Sequence, residues 1–301
     1  MLLTIKFFLF TYTMRVTILD NAKEDLEKIF NESVRKAFTY FNLKQFLKRS
    51  LSQMSVNKSV EATIQYLLKK SKLHEHKLSK ELIIYSWDTF DEFSIINAIK
   101  PNAYFTHYSS MYIHQLTLQI PKVFYLNYEH SWYPNRDNEL TQEGIDNAFS
   151  KPQRKSDNII HYDGKRIFQI NGQYTGRLGV VDESSESKCY YYTDLERTLI
   201  DIAVRPNYSG GIFQVIDAYR NAKESMDPDK LYKYLKEMDF MYPYHQIIGF
   251  YLDLTGYDDN YIKYFQNNLE YNFYLTYEMR SKEYSKKWRL FYPKGINYKD
   301  V

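Results

Sequence analysis

The sequence predicts an α+β fold: an N-terminal winged helix-turn-helix followed by a larger mixed domain of helices on a small, mainly antiparallel sheet. Three patterns carry this reading. Apolar residues recur at helical spacing between 23 and 73, and an alternating stretch closes that region. Short aromatic and β-branched runs, separated by Gly or acidic turns, fill 122–193. Helical spacing then returns from 211 to 268. The expected division is 1–88 and 89–301, with 1–13 as an optional extra start segment.

The opening "MLLTIKFFLFTYTM" is apolar but too short to span a bilayer and lacks a small-residue cleavage site. It reads as a strand, or as leader to a start at Met14. Residues 23–40 place Leu26, Ile29, Phe30, Val34, Ala37 and Phe38 at helical spacing. In "NLKQFLKRS", Asn42 and Gln45 have capping-box spacing. The next helix lies in "NKSVEATIQYLLKKSKL" (57–73). Val60, Ile64, Leu67 and Leu68 share one stripe, and Lys58, Ala62, Gln65 and Lys69 share the opposite face.

That opposite face has the chemistry of a groove-reading helix. Ala62 admits close backbone approach and can touch a thymine methyl. Gln65 can pair with adenine, and the lysines reach phosphate or guanine edges. Ser59 and Tyr66 flank the face, and Lys70, Lys44, Lys48, Arg49 and Lys77 supply nearby charge. The segment "LHEHKLSKELIIYSW" alternates like a small hairpin and would be the wing. His74 and His76 share a strand face but have no carboxylate or cysteine neighbours, so phosphate contact or exposure is the better reading than a metal site.

Charge follows the same division. The 301 residues carry a net +3, but residues 1–90 hold 15 basic and 9 acidic residues, and 35–80 hold 11 basic against Glu61 and Glu75. A basic block on a neutral-to-acidic body is the footprint of nucleic-acid binding; the alternative is a solvated basic face. Cys189 is the single cysteine, which excludes an internal disulfide and fits a reducing cytoplasm. Tyrosine is the commonest aromatic, with 31 copies, which gives a core with wet hydroxyl tips.

In the body, Thr89 and Glu92 have capping-box spacing before Phe93, Ile96 and Ile99, and Pro101 ends that helix. His107 and His114 lie seven apart on one expected helical face, about two turns from each other, too far to share one metal ion easily. The run 122–128 is strand-like, and 129–158 reads as a polar irregular loop. "RIFQING", "RLGVVDE" and "SKCYYYT" read as strands. Helices follow from Ile212, after Asp227-Pro228, up to Gly256, and over 259–268. "NFYLTYEM" and "KKWRLFYP" read as closing strands.

The segment "TDLERTLIDIAVRPNYSGG" (193–211) first looks like an active site. Its spacing gives another reading. Thr193 and Glu196 fit a capping box, Leu195, Leu199 and Ile202 face a core, and Arg197 and Asp201 pair four apart. Pro206 stops the helix, and Gly210 and Gly211 turn the chain. The N-terminus of the following helix is a candidate anion site. No P-loop, dinucleotide fingerprint, HExxH, CxxC or GxSxG occurs. Cys189 among tyrosines reads as a small core residue. A nuclease would need Asp182, Glu183, Glu196 and Asp201 to converge on a metal. The sequence therefore leads us to expect no catalytic residue, no metal and no cofactor.

"NAYFTHYSSMYIHQLTLQIPKVFYLN", "DLERTLIDIAVRPNYSGGIFQVIDAY" and "KKWRLFYP", in that order, resemble the AbiEi family of antitoxins. The likeness spans about residues 90–293 and is most specific at 194–211. Glu196, Arg197, Asp201, Pro206, Gly210 and Gly211 carry it. The resemblance implies an autorepressor of a type IV toxin–antitoxin operon active in phage abortive infection. It implies double-stranded promoter DNA with inverted repeats as one partner. A nucleotidyltransferase-like toxin is the other, countered with or without stable contact, and there is no membrane partner. The alternatives are a stand-alone winged-helix regulator and, less favoured, a defence nuclease.

Overall fold

The structure is a computed structural model that describes residues 17–88, 91–132, 139–185 and 188–299. The opening segment, Met14 and Thr89 lie outside the described residues. The described residues form a mixed α+β assembly of helices and three sheets.

Helix α1 (Ile18–Asn21) is closed by Thr17 and Asp20 in a reciprocal capping box. Helix α2 (Lys23–Glu32) buries Leu26 and Phe30. It stops well short of the 40 expected. Lys36 folds back and donates to the carbonyls of Phe30 and Asn31, satisfying the helix end. Val34 is 78% exposed, and Ala37 and Phe38 enter strand β1 (Ala37–Thr39) instead. Helix α3 (Tyr40–Gln53) is capped by Thr39, which accepts from the Asn42 amide, so Asn42 is inside the helix and not its cap. Helix α4 (Val60–Lys70) follows a short turn and is capped by Ser59.

Strands β2 (Leu73–Lys77) and β3 (Ile83–Trp87) form the expected hairpin. Strand β1 adds to it, giving the antiparallel order β1-β3-β2. Phe30, stacked on Trp87 at 4.3 Å, anchors a core with Leu26, Leu43, Leu47, Ile64 and Leu67.

The larger part begins with α5 (Glu92–Asn97), capped by Asp91 through the Ser94 amide. Strand β4 (Tyr104–Phe105), helix α6 (Tyr108–Ile113) and strand β5 (Val123–Glu129) follow. His107 and His114 flank α6 rather than sharing its face. Within 129–158 the chain is not all loop: α7 (Gln142–Phe149) docks Phe149 into an aromatic cluster. Strands β6 (Ile159–Tyr162), β7 (Lys165–Gly172), β8 (Val180–Ser184) and β9 (Cys189–Thr193) complete a six-stranded sheet of order β6-β7-β5-β4-β9-β8. The pairs β5·β7 and β4·β9 are parallel, so this sheet is mixed.

Helices α8 (Leu195–Val204), α9 (Ile212–Ala222), α10 (Pro228–Glu237), α11 (Tyr244–Leu254) and the short α12 (Asp259–Ile262) form the helical layer. Strands β10 (Phe273–Tyr274), β11 (Lys282–Ser285) and β12 (Leu290–Pro293) close it. β11 was not expected from sequence, and "NFYLTYEM" contributes only two strand residues. Leu199, Ile202, Tyr219, Ile248, Tyr251 and Trp288 sit at the centre of the largest core.

Candidate nucleic-acid interface

Helix α4 presents two sharply different sides. Thr63, Ile64 and Leu67 are buried, which fixes its rotation about its own axis. Lys58, Ser59, Glu61, Ala62, Gln65, Lys69 and Lys70 are exposed. The small Ala62 sits between Lys58, Gln65 and Lys69, as the helical wheel requires. Ser59 spends its hydroxyl on the Ala62 amide at 3.2 Å, so its first role is to cap the helix that carries the face.

The neighbouring cations are not equivalent. Lys48 and Arg49 on α3 are exposed, like Lys58 and Lys69. Lys44 is tied to Glu61 at 2.7 Å, and that pairing raises the lysine pKa and lowers the Glu61 carboxyl. Lys70 lies 3.9 Å from Asp20, and Lys77 lies 3.5 Å from Glu75 on the hairpin. Such exposed pairs are weak and are readily exchanged for other partners. Tyr66 stands apart from the face. It is half-buried, its hydroxyl donates to Asp20 at 2.9 Å, and burial with that bond pushes the phenol up to about 12. His74 is exposed on the hairpin, while His76 contacts the Ser86 hydroxyl at 2.8 Å. Burial lowers the His76 pKa.

The 193–211 segment resolves into a buried joint. Asp194, not Thr193, caps α8 through the Arg197 amide. The Thr193 hydroxyl is engaged with Thr198 at 2.8 Å. Glu196 reaches the Lys230 ammonium at 2.7 Å and accepts from the Asp227 amide at 2.9 Å, which fastens α8 to the start of α10. Burial opposes charge on Lys230, but Glu196 and Asp194 outweigh it and raise its pKa.

Arg197 donates to Asp201 at 2.9 Å, to the Leu178 carbonyl at 2.8 Å and to Thr175 at 3.1 Å. Asp201 also accepts from Thr106 at 2.6 Å, joining α8 to the end of β4. Both members of the pair are buried. Burial opposes the guanidinium charge, and Asp201 more than restores it. Pro206 is buried and starts a 3-10 turn, Pro206–Tyr208. Gly210 and Gly211 take φ of +81° and +92°, left-handed values that a side chain would strain. The space beside Gly211, at the start of α9, is open.

Three of the four acids of the nuclease alternative have other partners. Glu196 and Asp201 are spent on Lys230 and Arg197, and Asp182 accepts from Ser184 on β8. Among the described residues no group of three or more His, Cys, Asp or Glu could hold a metal ion. No helix among them is long and apolar enough to cross a membrane. Cys189 is a half-buried free thiol, and burial pushes its pKa up, away from nucleophile chemistry.

One polar grouping is not legible in the sequence, because its members come from distant segments. His107, Asn127 and Gln153 line a common cavity with Arg197 and Asp201. His107 is fully buried, has φ +52° and has its pKa lowered by burial to about 4.

The fold is similar to that of the RV2827C protein from Mycobacterium tuberculosis. The TM-score is 0.55 at 9% identity, over 92% of each chain. At that identity the likeness concerns fold alone. No family model matches the chain, and no curated protein does.

Proposed function

We propose that the chain is a double-stranded DNA-binding autorepressor and antitoxin of the AbiEi type. Its N-terminal part acts as a winged helix-turn-helix. In this reading α3 and α4 are the helix-turn-helix pair, α4 enters the major groove, and the β2–β3 hairpin is the wing. Lys58 and Lys69 take phosphates, Gln65 reads a base edge, and Ala62 allows the approach. Lys48 and Arg49 add phosphate contacts from α3. The C-terminal part, carrying the Glu196–Gly211 motif, counteracts a nucleotidyltransferase-like toxin. There it acts as a scaffold and not as a catalyst.

One observation carries the reading: the face of α4 with Lys58, Ala62, Gln65 and Lys69 is exposed while its other side is locked into a core. The element order helix, strand, helix, helix and two strands supports it. The test is promoter binding by the full chain and by its Lys58→Ala/Gln65→Ala/Lys69→Ala variant. The variant is expected to lose binding to the DNA upstream of its own gene. In co-expression it is expected still to protect growth from an adjacent nucleotidyltransferase. Full repression by the variant would remove α4 from the interface.

A further inference from the structure

We propose that Glu61 is a base-reading residue of the α4 face and selects cytosine in the major groove, its carboxylate accepting from the cytosine N4 amino group. This names the base specificity of the proposed DNA-binding surface and rests on that reading.

Glu61 stands out by its charge. Between 57 and 73 it is the only acidic residue, set among Lys58, Lys69, Lys70 and Lys72. It is the second residue of α4, directly after Val60. It is exposed, and so are Gln65 and Lys69, which follow it at successive intervals of one helical turn and share its stripe. The N-terminal turn of a recognition helix is the part that meets base edges. A carboxylate at that place is repelled by the phosphate backbone, so a helix that only gripped phosphates would be weakened by it.

Lys44 offsets this repulsion. It reaches across from α3 to Glu61 Oε1 at 2.7 Å, and its own ammonium lies over the Tyr40 ring, 5.3 Å from the centroid. The ion pair is at the surface, so it orients the carboxylate and balances its charge without immobilising it. Lys44 is in this sense a positioning residue. A carboxylate offers about four acceptor sites and no donor, and one lysine leaves most of them open to a base.

The base follows from the pattern of donors. At its major-groove edge guanine shows two acceptors, and thymine shows one acceptor beside a methyl group. Adenine sets its amino group next to the acceptor N7, whereas cytosine presents its amino donor alone. A group that only accepts is repelled by guanine and thymine and is matched best by cytosine. Gln65 both donates and accepts, which suits adenine. One helical turn separates the two side chains, a rise of about 6 Å, so the positions they read lie about two base pairs apart.

The test is selection by the full chain from a randomised double-stranded DNA library, with the bound fraction sequenced. The parent is expected to favour cytosine at one position by at least about fivefold. Glu61→Gln keeps the side-chain length and removes the charge. It is expected to abolish that preference and leave the others unchanged. Gln65→Ala is expected to erase a preference about two base pairs away. Lys44→Met is expected to lower affinity for all sequences while cytosine remains preferred. If the Lys44–Glu61 pair merely braces α3 against α4, Glu61→Gln and Lys44→Met lose affinity alike and keep the parent's base profile, which overturns the proposal. A Glu61-dependent preference for guanine or thymine overturns the cytosine assignment. A parent that enriches no duplex overturns the α4 reading and this proposal with it. Enrichment by the parent that is lost in Lys58→Ala/Lys69→Ala, with a base profile indifferent to Glu61→Gln, overturns this proposal alone.

Discussion

Asp201 shows how the most distinctive sequence motif is tied into the fold. Its two oxygens take Arg197 and Thr106, and both charged groups are out of water. Removing one member leaves the other charged and buried. Asp201→Asn is expected to cost about 3–5 kcal/mol in chemical denaturation. A loss below about 1 kcal/mol would mean the pair is solvated. His107 makes a second residue-scale prediction. Its pKa is lowered from 6.5 to about 4, so the unfolded chain binds the proton more readily than the folded one. Its contribution is complete above pH 6.5 and is lost as pH falls towards 4, amounting to about 3 kcal/mol at most. The His107→Gln variant should show a flatter fall in stability over that window than the parent, measured by urea titration at each pH. The pairing of Arg197 with Asp201 was legible from their spacing. Its burial was not, because Thr106, Thr175 and Leu178 come from other parts of the chain.

Elements were easier to read than their ends. The helices over 60–70, 212–222 and 228–237 declare themselves by apolar spacing, and Asp227-Pro228 marks its start correctly. The expected caps at Asn42, Thr89 and Thr193 fell one to three residues from Thr39, Asp91 and Asp194. At 39 and 194 a strand runs directly into the helix, and only the backbone turn decides which polar residue accepts the amide. Helix α7 escaped notice because it buries only Ile145 and Phe149, too short a stripe to stand out in a polar stretch. Helix α11 supplies the element-scale test. Gly249 faces the Trp288 ring, where a Cβ would lie 2.1 Å from a ring carbon. Gly249→Ala must displace buried Trp288 and should destabilise by about 1–3 kcal/mol despite the better helix propensity of Ala. A stabilised variant in thermal unfolding would contradict this packing.

At the scale of the molecule, the basic N-terminal part and the larger part are joined by apolar contact across residue 88. Ala37, Leu78 and Ile84 belong to the same core cluster as Ile95, Ile96, Phe105, Phe124, Ile167 and Tyr190. Lys165 and Glu92 add an ion pair at 2.5 Å within the larger part, beside that cluster. The change in charge near residue 90 was visible in the sequence. The shared core was not, because each half of it reads as an ordinary strand or helix face. This seating gives α4 a fixed support, which the proposed groove recognition would need. The outer face of α4 is the proposed DNA-reading surface. Its most direct test is fluorescence anisotropy of the chain's own upstream DNA over a range of salt concentrations. A steep fall in affinity with salt is expected for the parent. For Lys58→Ala/Lys69→Ala the log–log slope is expected to be shallower by about 2, one for each lost phosphate contact. An unchanged slope and affinity in that variant would contradict it.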